Sequence, residues 1–172
     1  MKLNILMVAA VAFVGLPAAA LAQSASPLGT FKDWNAFVSN EADGKICFVA
    51  SQPQDSKYSK PVSGRDPAFF QITSIPTKNI RNEVSSIVGY AFAADAEVTV
   101  DIDGTKFKMF LDASHPDTAW AVPDQEAALV EAMKHGTKMT VSGTSSRKTQ
   151  VSDTYSLSGI TAAMDTMTKE CP

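Results

Sequence analysis

Apolar and polar side chains alternate most clearly in the stretch EVTVDIDGTKFKMFLD, which covers residues 97–112. Asp103 and Gly104 at its centre predict a two-residue hairpin loop, because a type I′ turn needs positive φ at both central positions. This loop pairs apolar residues with apolar residues on one face and opposite charges on the other. The predicted pairs are Val98 with Met109, Val100 with Phe107, and Asp101 with Lys106.

Short patterns of the same kind recur along the rest of the chain and predict further strands, with polar turns between them. Such spacing is typical of antiparallel sandwiches and barrels. The candidate strands are TFKDWNAFV, KICFVAS, AFFQITSI, VSSIVGYAF, TAWAV, KMTVSG and TQVSDTYSL. The segment 51–67 is rich in Ser, Pro and Lys, and it predicts a long surface loop.

Two segments have helical periodicity instead. PDQEAALVEAMKHG has Glu126 in its first turn, Lys134 and His135 in its last turn, and Gly136 as a stop, which suits the helix dipole. SGITAAMDTMTKEC carries one apolar face that can dock on a sheet. That face consists of Ile160, Ala163, Met164 and Met167. The predicted fold is mainly β: a single antiparallel β-sandwich or barrel-like domain with two short helices, one late and one C-terminal.

Residues 1–22 have the pattern of a secretory signal peptide, with Lys2 before an apolar run and Ala22 at the end of an A-x-A site. We expect cleavage between Ala22 and Gln23, which leaves one β-rich domain at 23–172. The alternative interpretation is a transmembrane anchor, but the apolar run is short of the ~20 residues that a span needs. The mature chain is therefore expected in the periplasm, on the outer membrane or released, without a transmembrane segment.

The chain has two cysteines, Cys47 and Cys171. In an oxidising compartment such a pair predicts one disulfide, which would enclose most of the domain and hold its end in place. The first alternative is two free, buried thiols. The second is a redox-active pair, which is disfavoured because the sequence has no C-x-x-C spacing.

No pattern in the chain predicts a catalytic, cofactor or metal site. His115 in DASHPDTAW, with Asp112 or Asp117, could form half of a triad or a weak metal site, but no Ser occupies a G-x-S-x-G elbow. An exposed loop histidine is the expectation. DIDG is not an EF-hand loop, since Phe110 stands where the calcium-binding Glu is required. We expect no enzymatic activity, no cofactor and no metal.

Two basic segments and several large apolar residues complete the set of candidates. Arg65 in SGRDP could bind a carboxylate or a phosphate, but we predict a solvated loop arginine. SSRKTQ predicts a hairpin turn with exposed charges. Six large apolar side chains could line a cavity for an apolar ligand, although such residues more often form the core. They are Phe69, Phe70, Phe107, Met109, Trp120 and Met133.

Several stretches together resemble the invasion-associated locus B family of secreted bacterial proteins. They are DWNAF, KICFVAS, NEVSSIVGYAF, and TAWAVPDQEAALVEAMKHGTKMTVSGTSSRKTQVSDTYSLSGITAAM, with Cys171 after them. The resemblance covers essentially the whole of the mature chain. A Gly often follows the arginine of the GTSSR block in this family, whereas Lys148 follows Arg147 here. The resemblance implies a β-rich periplasmic or envelope domain with a role in virulence, and it implies no catalytic residue.

The function expected from these features is binding. A secreted, non-enzymatic module would bind an envelope or host protein, or an envelope component, and would support host-cell invasion or colonisation. The alternatives are a carrier of a small apolar ligand or lipid, and a hydrolase centred on His115. The net charge of −3 and the lack of a basic patch argue against nucleic acid as a partner. The sequence does not indicate an oligomeric state.

Overall fold

The computed structural model describes residues 25–172, so the predicted signal segment 1–22 and its cleavage site at Ala22 and Gln23 lie outside the described residues. The described chain forms strands, two α-helices and a single 3₁₀ turn, Pro76–Lys78. The strands are β1 Ser26–Phe31, β2 Trp34–Glu41, β3 Gly44–Ser51, β4 Asp55–Tyr58, β5 Phe69–Ile75, β6 Ile80–Ile87, β7 Val98–Ile102, β8 Thr105–Leu111, β9 Thr118–Ala121, β10 Lys138–Thr144 and β11 Gln150–Ser156. The helices are α1 Glu126–His135 and α2 Ile160–Glu170.

The strands form one open antiparallel sheet in the order β1-β2-β3-β5-β6-β9-β8-β7-β10-β11-β4, with β1 and β4 at its edges. The sheet folds over on itself, so that β11 at one end packs on strands from the other end. Trp34 on β2 donates from Nε1 to the carbonyl oxygen of Ser156 on β11 at 3.0 Å, and the Phe70 and Tyr155 rings meet edge to face. The predicted mainly β, sandwich-like fold with two helices is therefore confirmed.

The predicted DG hairpin is confirmed in every pair. Val98 lies opposite Met109, Val100 opposite Phe107 and Asp101 opposite Lys106. Asp103 and Gly104 form the loop with φ of 47° and 97°, as the turn requires. The hairpin could be predicted because loop chemistry and side-chain alternation, both local features, select the same register.

Three predictions for strands and loops are wrong in detail. VSSIVGYAF is a strand only as far as Ile87, where β6 ends. TFKDWNAFV is not one strand, because β1 ends at Phe31 and the chain turns at Lys32 and Asp33 before β2 begins. The segment 51–67 is not entirely loop, because residues 55–58 pair with β11 as the edge strand β4. Strand β4 is short and mostly exposed, so alternation does not reveal it, and its formation depends on β11.

Helix α2 buries the predicted face of Ile160, Ala163, Met164 and Met167 against the core. The disulfide between Cys47 on β3 and Cys171 ties the end of this helix to the sheet. Helix α1 buries Leu129, Val130 and Met133, and Gly136 follows its last residue as predicted. Neither α-helix of residues 25–172 has the length and hydropathy to cross a membrane.

Candidate binding cleft

His115 lies exposed in the loop between β8 and β9. Ser114 Oγ donates to Asp112 at 2.7 Å and lies 3.2 Å from His115 Nδ1, so the serine separates the histidine from the carboxylate. In a catalytic triad the histidine lies between the serine and the carboxylate, and a cleft beside them holds the substrate. His115 lines none of the four main clefts formed by residues 25–172, and the hydrolase hypothesis therefore gains no support.

The large apolar candidates for a ligand cavity separate into two groups. Phe70, Phe107, Met109 and Met133 are buried in one packed core cluster. Phe69 and Trp120 point the other way and are only partly buried on the outer side of the sheet. The six side chains therefore do not surround one space, and the carrier hypothesis loses the arrangement on which it was based.

Arg65 is not a solvated loop arginine, so that prediction is wrong. Its side chain is 10% exposed, and the carboxylate of Asp153 that it pairs with is 2% exposed. The guanidinium donates hydrogen bonds to both oxygens of the Asp153 carboxylate, and its Nε donates to the carbonyl oxygen of Val88 at 2.7 Å. A bidentate pair of this kind offsets the cost of burying two charges. Arg65 thus fixes the loop after β4 to the inner face of β11.

Two tyrosines enclose the guanidinium of Arg65. Its carbon lies 5.8 Å from the centre of the Tyr58 ring and 5.2 Å from that of Tyr90, and Nη1 donates to Tyr58 Oη at 3.0 Å. Burial alone would lower the pKa of Arg65, but hydrogen bonds to Asp153 and Tyr58 outweigh it, and the pKa is raised. Burial, together with the charge of Asp153, also raises the pKa of Tyr90. The guanidinium is therefore permanently charged and fixed in position.

A cleft of about 370 Å³ lies beside the pair of Arg65 and Asp153, and we call it the Arg65 cleft. Its volume is in the range of sites that hold small molecules or short chain segments. Its walls mix exposed apolar side chains, hydroxyl groups, guanidinium groups and the carboxylate of Asp66. The lining residues are Tyr58, Pro61, Val62, Ser63, Gly64, Arg65, Asp66, Gly89, Tyr90, Ala91, Ser145, Ser146, Arg147, Thr149 and Val151.

Backbone hydrogen bonds fix the three segments that form the Arg65 cleft. The Asp66 amide donates to the carbonyl oxygen of Gly89, and the Ser146 amide donates to that of Ala91. At Gly89, where φ is +69°, an added Cβ would lie 2.0 Å from the carbonyl oxygen of Asp66. Only glycine permits this approach between the loop after β4 and the segment after β6. The cleft is therefore assembled by the fold before any ligand binds.

The turn between β10 and β11 supplies a cation to the cleft, whose lining also includes the exposed carboxylate of Asp66. SSRKTQ forms the predicted turn, with Arg147 and Lys148 exposed. Lys148 adopts φ of 59° and pairs with Asp95, so the turn keeps a glycine-like conformation without glycine. Arg147 has no acidic partner within 4.0 Å among residues 25–172. Its guanidinium is therefore available to an anionic group.

The sequence predicted exposed side chains for both arginines, and the structure bears this out for Arg147 but not for Arg65. Arg65 pairs with Asp153, a residue 88 positions away on β11. The alternation in QVSDTYS contains the only local signal, since Val151 and Tyr155 mark the buried face and Asp153 lies between them. A carboxylate on a buried face requires a cation, and Arg65 is that cation.

The fold and the cleft define a class: a disulfide-linked antiparallel β-sandwich domain with a polar and aromatic cleft at its β4 edge. The model of the family described as Invasion associated locus B (IalB) protein matches residues 34–168, and the chain belongs to this family. The crystal structure of invasion associated protein B from Bartonella henselae is similar, with a TM-score of 0.57 and 13% identity over 83% of this chain and 96% of that chain. A likeness at this identity shows the fold alone. A comparison with curated proteins gives no match.

Proposed function

We propose that this protein is an exported, non-enzymatic binding module that acts in the periplasm or envelope. It binds a partner protein or an envelope component through the Arg65 cleft and supports host-cell invasion or colonisation where a host exists. The observation that carries this proposal is the cleft itself, which is held open by the buried pair of Arg65 and Asp153. Rigid, preassembled sites of this kind lower the entropic cost of binding.

The lining of the cleft indicates the chemistry of its ligand. Tyr58 and Val62 are 39% and 44% exposed and stand at the rim, so an apolar group of a ligand would gain contact area there. Arg147 offers a planar, fork-shaped donor that matches a carboxylate or a phosphate. A ligand that carries an apolar group beside an anionic group fits both features. Segments of envelope proteins and anionic envelope components have such chemistry.

The first test is photo-crosslinking in intact cells, followed by affinity purification and mass spectrometry of what is captured. The wild-type protein is compared with Arg147→Glu, which reverses the charge that Arg147 presents to the cleft. The matched control is Lys57→Glu, which makes the same change at an exposed position on β4 outside the cleft lining. We expect Arg147→Glu to lose the captured partner and Lys57→Glu to retain it.

Three outcomes would overturn the proposal. Equal capture by both variants would place binding elsewhere on the molecule. A purified protein that carries a bound lipid or apolar small molecule and captures no protein would favour the carrier hypothesis. Turnover of a captured envelope component, seen as a change in its mass, would contradict the non-enzymatic assignment.

A further inference from the structure

One outer side of the sandwich is apolar, and we call it the outer aromatic face. The side chains that form it point away from the core on β2, β3, β5, β6, β9 and β8. Phe37 and Phe48 stack with ring centroids 5.0 Å apart, and Phe110 and Trp120 stack at 6.0 Å. The apolar members of the face are Phe37, Ile46, Phe48, Phe69, Ile87, Phe110 and Trp120.

The register of the sheet shows that these side chains form a continuous surface, with charged residues at its rim. A middle row runs across six strands through Asn35, Ala50, Gln71, Ser85, Trp120 and Phe110. Rows on either side begin at Phe69 and at Phe37. Glu83 on β6 and Lys108, the outward residue of β8 next to Phe110, place charges of both signs at the far end of the second row. Gln71 and Ser85 lie opposite each other at the centre of the face.

The other outer side of the sandwich has a different character. Its outward residues on β7 and β10 are polar or charged, and they surround a shallow depression. Those residues include Thr99, Asp101, Lys138, Thr140 and Ser142. Solvent covers such a side without cost, whereas a contiguous apolar patch on a monomer marks an interaction site. The polar side is therefore expected to remain in contact with water, whereas the apolar side is expected to contact another molecule.

The charge and the area of the outer aromatic face together indicate what binds to it. A face whose charges are at its rim and of opposite sign does not repel a copy of itself, and sheets stack at about 10 Å with their strands within ~30°. Six strands ~4.8 Å apart and three rows ~7 Å apart give each copy roughly 500 Å². Two copies would bury about 1,000 Å² in total, at the lower limit for a specific interface. This area suits a dimer that dissociates on dilution.

We infer that a second copy of this chain docks on the outer aromatic face and forms a two-fold symmetric, reversible dimer. The two-fold axis passes near Gln71, so each Gln71 faces its equivalent in the other copy. The Arg65 cleft is lined by other residues and is left open in both copies. Two clefts on one particle would raise the apparent affinity for a repeated envelope component.

Sedimentation velocity of the purified protein over a wide concentration range tests this inference. We expect a monomer that converts to a dimer as the concentration rises. Gln71→Arg and Gln71→Glu should each weaken the dimer at least ~10-fold, because like charges then meet across the axis. An equimolar mixture of the two variants should dimerise again, which also shows that both are folded. Thr140→Arg, the matched outward change on the opposite side, should dimerise like the wild type.

Phe110→Asp provides a second variant that the fold tolerates, because its side chain is 45% exposed. It should weaken the dimer as well. A wild-type protein that stays monomeric up to millimolar concentration would overturn the inference. Dimers that the Gln71 variants leave unchanged would place the interface on another surface. Crosslinks from Phe110 to lipid or to a different protein in cells, without self-crosslinks, would assign the face to that other occupant.

Discussion

At the scale of single residues, Lys148 adopts a turn conformation that favours glycine. Its φ of 59° lies in the left-handed region, which costs a residue with a Cβ about 1–2 kcal/mol. Glycine removes that cost but adds entropy to the unfolded chain. Lys148→Gly should therefore raise the free energy of unfolding by roughly 0.5–1 kcal/mol, measured by urea denaturation.

The control for this substitution is its neighbour in the same turn. Arg147 is not among the positive-φ residues of the described chain, so Arg147→Gly gains nothing from relief of strain and should be neutral or destabilising. The exposed pair of Lys148 with Asp95 contributes little, since both groups remain in water. Equal effects of the two glycine substitutions would contradict the explanation by backbone strain.

At the scale of elements, Asp103 joins the hairpin of β7 and β8 to the start of β10. Its carboxylate accepts hydrogen bonds from the amide and hydroxyl of Thr137 and from the amide of Lys138. These bonds, that of the Thr137 amide first, hold the pKa of Asp103 below its usual value. A carboxyl with a lowered folded pKa stabilises the protein above its unfolded pKa of about 3.9. That stabilisation is lost as the pH falls through the folded pKa.

Asp103→Asn should therefore weaken the acid dependence of stability. Asn tolerates positive φ and keeps one acceptor oxygen, so the turn itself remains intact. We expect the melting temperature of the wild type to fall more steeply than that of the variant as the pH is lowered below about 4. An NMR titration of the Asp103 carboxyl gives the folded pKa directly. Parallel stability curves for the two proteins would exclude the proposed linkage.

The disulfide is the covalent link between two elements, β3 and α2. Cys47 and Cys171 are 124 positions apart, and loop-entropy models assign about 4–5 kcal/mol to so long a loop. Cys171→Ser should therefore lower the melting temperature markedly, and the Cys47→Ser, Cys171→Ser double variant should be no less stable than the single one. The reduced wild-type protein should have about the same melting temperature as the variants. Two free thiols in the native, unreduced protein, detected by intact mass after alkylation, would contradict this prediction.

The elements that could be predicted from the sequence are those specified locally. The DG loop and the apolar face of α2 each follow from neighbouring residues, and both are confirmed, as are most of the strands. Strand β4 and the position of Arg65 could not be predicted, because both depend on β11, which lies about ninety residues further along the chain. Long-range pairing of this kind leaves no periodicity in the local sequence.

At the scale of the whole molecule, the Arg65 cleft exists only because three distant segments meet. The loop after β4, the segment after β6 and the turn before β11 are neighbours in space, since the sheet order places β4 beside β11. The hydrolase and carrier alternatives rested on residue types alone, and the folded sheet distributes those residues over a loop, the core and an outer face. Binding capacity is thus a property of the topology here, and single motifs did not indicate it.

A comparison of two glycines tests whether the close approach of these segments stabilises the molecule. Gly89 and Gly64 have similar positive φ values of +69° and +72°. An added Cβ would strike the Asp66 carbonyl at Gly89, whereas at Gly64 it would meet nothing within 4 Å. Gly64→Ala should cost only the backbone strain of about 1–2 kcal/mol. Gly89→Ala should cost clearly more, because the loop must move and the buried pair of Arg65 and Asp153 must open.

Hydrogen exchange separates the two effects in this comparison. In Gly89→Ala, the amides of the loop after β4 should lose protection at a lower free energy than the core strands, because the loop detaches before the sheet unfolds. In Gly64→Ala, the amides of the loop and of the core should keep the same order of protection from exchange as in the wild type. If both variants lose the same stability and show the same exchange pattern, the contact at Asp66 does not hold the loop. The cleft would then be assembled by its ligand rather than by the fold.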